Sequence, residues 1–196
     1  MSGNETLRVA IIIGSTRQDR FGPTPAAWFA ERARRRSDLQ VDLIDLREAG
    51  LPVVLGGDDP AAPAPEPVRA LAPRIAGADA FVIVTPVYNH GYPASLKNAI
   101  DWYFEEWSAK PVGFVSYGGR GGGLHAVEQL RQVFAEVHAT TIRNTVSFAD
   151  HWDQFDEQGM PRDRVGADGA AASMLDQLIW WARALREART KEPYKV

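Results

Sequence analysis

The chain alternates between short apolar runs and amphipathic stretches along most of its length. Val9 to Ile13 is a continuous aliphatic run that stops at Gly14-Ser15-Thr16-Arg17. A run without alternation predicts a strand covered on both faces, as in a parallel sheet sandwiched by helices. Pro23 or Pro25 then opens a helix, because proline fits the first turn. That helix carries Ala26, Ala27, Phe29, Ala30 and Ala33 and ends on three arginines, Arg34 to Arg36. Cations suit the negative end of a helix dipole, which favours a solvated helix end over a nucleic-acid patch. Val41, Leu43, Ile44 and Leu46, interrupted by Asp42 and Asp45, predict a half-exposed second strand. Residues 47–66, rich in Pro, Gly, Asp and Ala, predict an excursion loop of the kind that forms lids or binding loops.

Glu66 to Ala76 reads as a helix and Asp79 to Val84 as a third strand, apolar throughout. Pro93, Ala94 and Ser95 open the next helix. Leu96, Ala99, Ile100, Tyr103, Phe104 and Trp107 follow at helical spacing as one apolar stripe. Its wide aromatic end suggests contact with another subunit. Pro111 to Ser116 predicts a fourth strand, and Val127, Leu130, Val133 and Phe134 a helix after it. Thr140 to Phe148 alternates and predicts a fifth strand at an edge. A polar, aromatic link, Asp150 to Asp168, leads to a last helix over about residues 169–189, with a frayed tail beyond. Strand–helix alternation predicts an α/β doubly wound parallel sheet with helices on both faces. Runs one, three and four are apolar throughout while two and five alternate, so the order 2-1-3-4-5 puts the latter at the edges. That is the flavodoxin-like arrangement. A single domain over 1–196, with its core in 7–148, is expected.

At 196 residues and 45 % apolar content the chain is one domain long and able to bury a core. A net charge of −3 argues against a nucleic-acid surface, which normally carries a basic excess. The absence of cysteine excludes disulfides, thiolate metal sites and cysteine catalysis. The N-terminal M-S-G-N-E-T-L-R lacks the apolar core of a signal peptide, and no run approaches a membrane span, so a cytoplasmic location is expected. The histidines show no metal-ligand spacing.

In this strand order a crevice opens at the carboxyl ends of strands one and three, bordered by three loops. The first suits a phosphate. Ser15 and Thr16 offer hydroxyls, Arg17 and Arg20 offer charge, and Gly14 and Gly22 let the backbone turn closely before a helix N-terminus. The alternative is a polar turn with exposed arginines. The second loop suits a flat heterocycle. Pro86 and Pro93 stiffen it, Tyr88 can stack or wall the ring, the backbone N–H groups around Asn89 could meet ring acceptors, and Gly91 permits close approach. The alternative is ordinary packing of Tyr88 and Tyr92. In the third loop, Ser116, Tyr117, Gly118 and Gly119 suit the far edge of the same ring. Gly121 to Ala126 matches a dinucleotide fingerprint only weakly. A phosphate at one end and a planar ring at the other describe FMN.

The G-S-T-R-x-x-R, P-V-Y-N-H-G-Y-P-A-S-L-K-N-A-I-D-W and Y-G-G segments resemble the NADPH-dependent FMN reductase family, over about Leu7 to Phe148. The family includes flavin-bound quinone, azo-dye and metal-ion reductases. The resemblance implies that Ser15, Arg17 and Arg20 hold the FMN phosphate. It implies that Pro86 to Asn89 line the isoalloxazine and that Ser116 to Gly119 meet its pyrimidine edge. It also implies a homodimer or homotetramer built through the helices after strands three and four. The expected activity is ping-pong transfer of hydride from NAD(P)H through bound FMN to a small acceptor: a quinone, azo compound, metal ion or free flavin. No side-chain acid or base is required, and His90 is a candidate proton donor that loop packing explains equally well. The alternatives are a flavodoxin-like electron carrier and a module that has lost its cofactor. His151 to Phe155 match no motif.

Overall fold

The computed structural model describes residues 6–56 and 63–195. The middle of the expected excursion loop, 57–62, lies outside the described residues, as does most of the N-terminal segment read for a signal peptide. The elements are β1 (Leu7–Ile13), α1 (Pro23–Arg34), β2 (Leu39–Asp45), the single turn α2 (Leu46–Ala49), α3 (Glu66–Ala76) and β3 (Ala80–Pro86). They continue with α4 (Ala94–Trp102), β4 (Pro111–Tyr117), α5 (Leu124–Glu136), β5 (Thr140–Phe148) and α6 (Arg164–Lys191). Two short 3-10 turns lie at Glu105–Trp107 and His151–Asp153.

The five strands form one parallel sheet in the order β2-β1-β3-β4-β5. Side chains alternate faces along a strand, so each strand feeds two cores. Leu7, Val9, Ile11 and Ile13 of β1 pack with α1 and α6. Ala10 and Ile12 of the same strand pack with α3, α4 and α5. Every residue of β3 and β4 is buried, whereas the edge strands β2 and β5 carry half-exposed positions. On the first face α1 and α6 are joined by Arg32, whose Nε and Nη2 donate to Asp168 at 2.7 and 3.2 Å. Trp28 Nε1 donates to the same carboxylate at 3.3 Å.

Three expectations change. First, α4 ends at Trp102 because Tyr103 turns extended (φ −129°, ψ 120°), breaking the stripe expected to run on to Trp107. The break lets Tyr103 reach α3, where its hydroxyl donates to Val68 O at 2.9 Å. It also drops Trp107 beneath β3, 4.6 Å from the Phe81 ring. Both aromatic residues are at most 2 % exposed and belong to the protomer's own core, so neither is available to a second subunit. Phe104 alone stays on the surface, 45 % exposed. Second, the last helix starts at Arg164, where Asp163 accepts from Gly166 N at 2.9 Å. Third, the tail is tied down, since the Tyr194 hydroxyl lies 2.9 Å from His138 Nδ1.

At the amino end of the sheet Lys110 is buried, and its ammonium donates to the last carbonyls of α3, Ile75 O at 3.1 Å and Ala76 O at 2.7 Å. Cations are favoured at a helix C-terminus. Burial, and then the Arg189 charge, nevertheless push its pKa down to about 8.

Candidate functional site

β1 runs between β2 and β3, so α1 and α4 leave on opposite faces and a crevice opens at the strand carboxyl ends. The helices α1, α4 and α5 all begin here, and none has a side-chain cap. Three positive helix ends therefore border the crevice.

The first loop, 14–22, starts where Gly14 N donates to Val84 O at 2.9 Å and its carbonyl accepts from Ser95 Oγ at 2.7 Å. Ser15 is fully buried and its hydroxyl lies 2.7 Å from that of Tyr88, joining the first loop to the second. Arg17 N donates to Ser15 Oγ at 3.4 Å. The side chains of Thr16 and Arg17 are exposed, as a phosphate ligand requires. Arg20 differs: its side chain is only 9 % exposed and is ion-paired with Asp45 at the end of β2. Its Nε is buried with no hydrogen-bond partner. Asp45 also accepts from Arg47 N at 3.0 Å and so fixes α2.

The second loop turns at Tyr88-Asn89-His90-Gly91. Tyr88 N donates to Gly91 O at 2.8 Å and Gly91 N to Tyr88 O at 2.9 Å, with Asn89 (φ 49°) and His90 (φ 69°) both left-handed. Such a mirror-image turn leaves its two central N–H groups pointing outward. Among the described residues neither finds a protein acceptor. α5 pins the turn from outside: Gln129 Nε2 donates to His90 O at 2.9 Å, and the His90 and His125 rings stack 4.0 Å apart. Pro86 is buried at the end of β3, and Val87 N donates to Tyr117 O at 3.2 Å.

The third loop approaches the second so closely that a Cβ on Gly118 would lie 2.6 Å from Val87 Cγ1. Gly123 is left-handed (φ 85°), and a Cβ there would meet Tyr117 N at 2.9 Å. Ser116 is fully buried, and its hydroxyl donates to Gly122 O at 2.7 Å, so it shapes the loop from within. Tyr117 also points inward, 5.4 Å from the Phe21 ring, with its hydroxyl beside Gly22, buried and without a partner at normal geometry. Burial, aided by the neighbouring Tyr88, pushes this phenol well above its ordinary pKa, against the Arg20 charge. Gly119, Arg120 and Gly121 keep N–H groups without a protein acceptor among the described residues.

The structure thus brings Ser15, Gly22, Val87, Tyr88, Tyr117 and Gly118 into one connected wall. Thr16, Arg17, Asn89, His90, Gly91 and Gly119 sit along its open side. Ser116 and Pro86 stand behind it. Asp45, Gln129, His125 and His151 also hold this wall. Nothing in their spacing marks them, although a carboxylate closing a strand, as Asp45 does, is a usable signal.

Comparison with known proteins bears on what such a wall holds. Residues 7–153 match the family described as NADPH-dependent FMN reductase. The chain belongs to that family. It is 42 % identical over 135 residues to an NAD(P)H-dependent FMN reductase of Schizosaccharomyces pombe, a stretch covering 65 % of this chain and 66 % of that protein. A 2-hydroxy-1,4-benzoquinone reductase of a Burkholderia species is 38 % identical over 118 residues, 60 % of this chain and 58 % of its own. The matched stretches thus span less than two thirds of those relatives' lengths. Among solved structures, the flavoenzyme FerB of Paracoccus denitrificans, an NAD(P)H:(acceptor) oxidoreductase, superposes with a TM-score of 0.74 at 27 % identity, covering 91 % of this chain and 98 % of that one. Membership of a reductase family speaks for an enzyme over an electron carrier. Among the described residues no helix is long and apolar enough to cross a membrane.

Proposed function

We propose that this chain is an FMN-dependent NAD(P)H oxidoreductase that reduces small acceptors, quinones foremost, with donor and acceptor using the same crevice in turn. The observation that carries the reading is the buried, partnerless Nε of Arg20 in a loop that opens the uncapped N-terminus of α1. A buried guanidinium nitrogen without an acceptor costs stability unless an anion supplies one. The relatives' names point the same way, and the quinone preference follows the Burkholderia protein.

Within this reading Arg20 and the exposed Arg17, with the Thr16 hydroxyl, hold the phosphate of FMN, while the buried Ser15 sets the loop from behind through its contact with Tyr88. Arg17 is the freer of the two, since Arg20 is already braced by Asp45. The Asn89 and His90 amides, and those of Gly119 to Gly121, meet the polar edge of the ring. Fixed N–H dipoles there favour negative charge without reorganisation. Bound FMN supplies the hydride chemistry itself. The close contact of Val87 with Gly118 excludes water from between the second and third loops. His90 carries no assigned proton transfer, because its ring lies against His125.

The test is purified protein with FMN, assayed for NADPH and NADH oxidation with and without 1,4-benzoquinone. Quinone-dependent turnover with parallel double-reciprocal lines is expected. Protein that binds no FMN, or that oxidises neither nicotinamide in the presence of quinone, overturns the reading. Arg17→Ala should weaken FMN binding about tenfold while leaving riboflavin binding nearly unchanged, the scale of one charge-assisted contact. Equal losses for the two flavins would defeat the phosphate assignment.

A further inference from the structure

The segment after β5 matches no motif and lies largely beyond the expected core, yet it is laced to the third loop. Asp150, left-handed at φ 45°, donates through its N–H to Gly119 O at 3.1 Å. His151 N donates to Gly118 O at 3.1 Å, and His151 Nδ1 lies 3.1 Å from the same oxygen. A carbonyl only accepts, so Nδ1 carries the proton and the ring orientation is fixed. That ring is further held 4.7 Å from Phe21 and 5.4 Å from Tyr117. Beyond this anchor the next side chain, Trp152, is left 63 % exposed. It stands 5.3 Å from the His151 ring, and its Cη2 is 3.8 Å from the position a Cβ on Gly119 would take.

An indole at the rim of a crevice, seated beside an anchored histidine ring and packed on by little else, presents a face. Trp28 and Trp107, by contrast, are at most 2 % exposed and fill the core. Trp180 is as exposed as Trp152, but it lies beside Arg36, at the amino end of the sheet. The absence of a side chain on Gly119 leaves the Trp152 edge open toward the loop that carries the free amides.

We propose that Trp152 is a wall of the acceptor site and selects flat, electron-poor acceptors of the quinone class. The inference rests on the oxidoreductase reading above. The overall reaction consumes NAD(P)H, a proton and a quinone and yields NAD(P)⁺ and the hydroquinone. The indole takes no part in the electron transfer. Its electron-rich ring stacks on the electron-poor quinone and holds it in the crevice, an attraction that aromatic pairs show beyond their buried area. Acceptors that need no stacking, such as ferricyanide, gain nothing from it.

The experiment compares FMN-loaded wild type, Trp152→Ala and Trp152→Phe with NADPH and two acceptors, 1,4-benzoquinone and ferricyanide. Trp152→Ala should raise KM for benzoquinone about tenfold, the scale of one stacking contact, while ferricyanide turnover and FMN affinity stay within about twofold. Trp152→Phe should recover most of the loss, because a smaller ring still stacks. Benzoquinone should also quench the tryptophan fluorescence of the oxidised wild type saturably, and Trp152→Phe should lack that component. An unchanged benzoquinone KM, or saturable quenching that persists in Trp152→Phe, overturns the proposal. So does a parallel fall in both acceptors and in FMN affinity, which would mark a structural role. A wild type that reduces benzoquinone and ferricyanide but ignores the substitutions leaves the oxidoreductase reading standing and removes only this one. A wild type that reduces neither removes both.

Discussion

Gly118 and Lys110 show how single positions bind the two ends of the sheet to their tasks. Gly118 needs no unusual backbone angle, yet its missing side chain is what allows the second and third loops to touch. Gly118→Ala should therefore push Val87 aside, lower stability by about 1–3 kcal/mol as overpacking does, and weaken FMN binding. Adding Val87→Ala removes the clashing methyl and should restore most of both losses. A double variant no better than the single one would show that the contact with Gly123 N decides instead. At the other end, Lys110 is held neutral more easily when folded (pKa about 8) than in the unfolded chain (10.5). Between those values the unfolded state binds more protons, so stability from this group rises with pH. Its cost is present in full below pH 8 and fades toward 10.5. The unfolding free energy of wild type minus that of Lys110→Met should accordingly grow by about 3 kcal/mol across that window. Denaturant titrations at both ends of the window check it, and a flat difference would contradict the depressed pKa.

At the scale of elements, what could be read from the chain depended on whether the deciding contacts were local. The aliphatic runs of β1, β3 and β4, the alternation in β2 and β5, and the span of α3 follow from periodicity alone. The end of α4 does not. Tyr103 fits helical spacing as well as it fits the extended backbone it adopts, and its partner Val68 is 35 residues away. The same holds within the site. Loop glycines and arginines lead to the expectation of a phosphate and a ring, but whether Ser116 and Tyr117 face the crevice or the core depends on Gly122 and Phe21 folding back onto them. Asp45, Gln129 and His151 act through hydrogen bonds to other elements and leave no spacing signal. The break after α4 carries a prediction of its own. Trp107→Ala should destabilise the protomer by about 3–5 kcal/mol, the cost of removing a large buried ring, with thermal unfolding as the readout. Phe104→Ser, on the surface, should change stability by under about 0.5 kcal/mol.

For the molecule as a whole, the two cores divide the labour unequally along the chain. One face of the sheet is covered by helices that each follow their strands closely, α3 to α5. The other relies on α1 and on the 28 residues of α6. Met174, Leu175, Leu178 and Ala182 reach the same apolar surface as Val9, Ile11, Val82 and Val115. During synthesis, then, every strand of the sheet is made before the helix that completes the cover of this face. A nascent chain stalled at about residue 163 would carry a bare aliphatic surface across its central strands, the kind of exposure that recruits chaperones and seeds aggregation. The long closing helix is therefore the segment that commits this face of the sheet to its packed form.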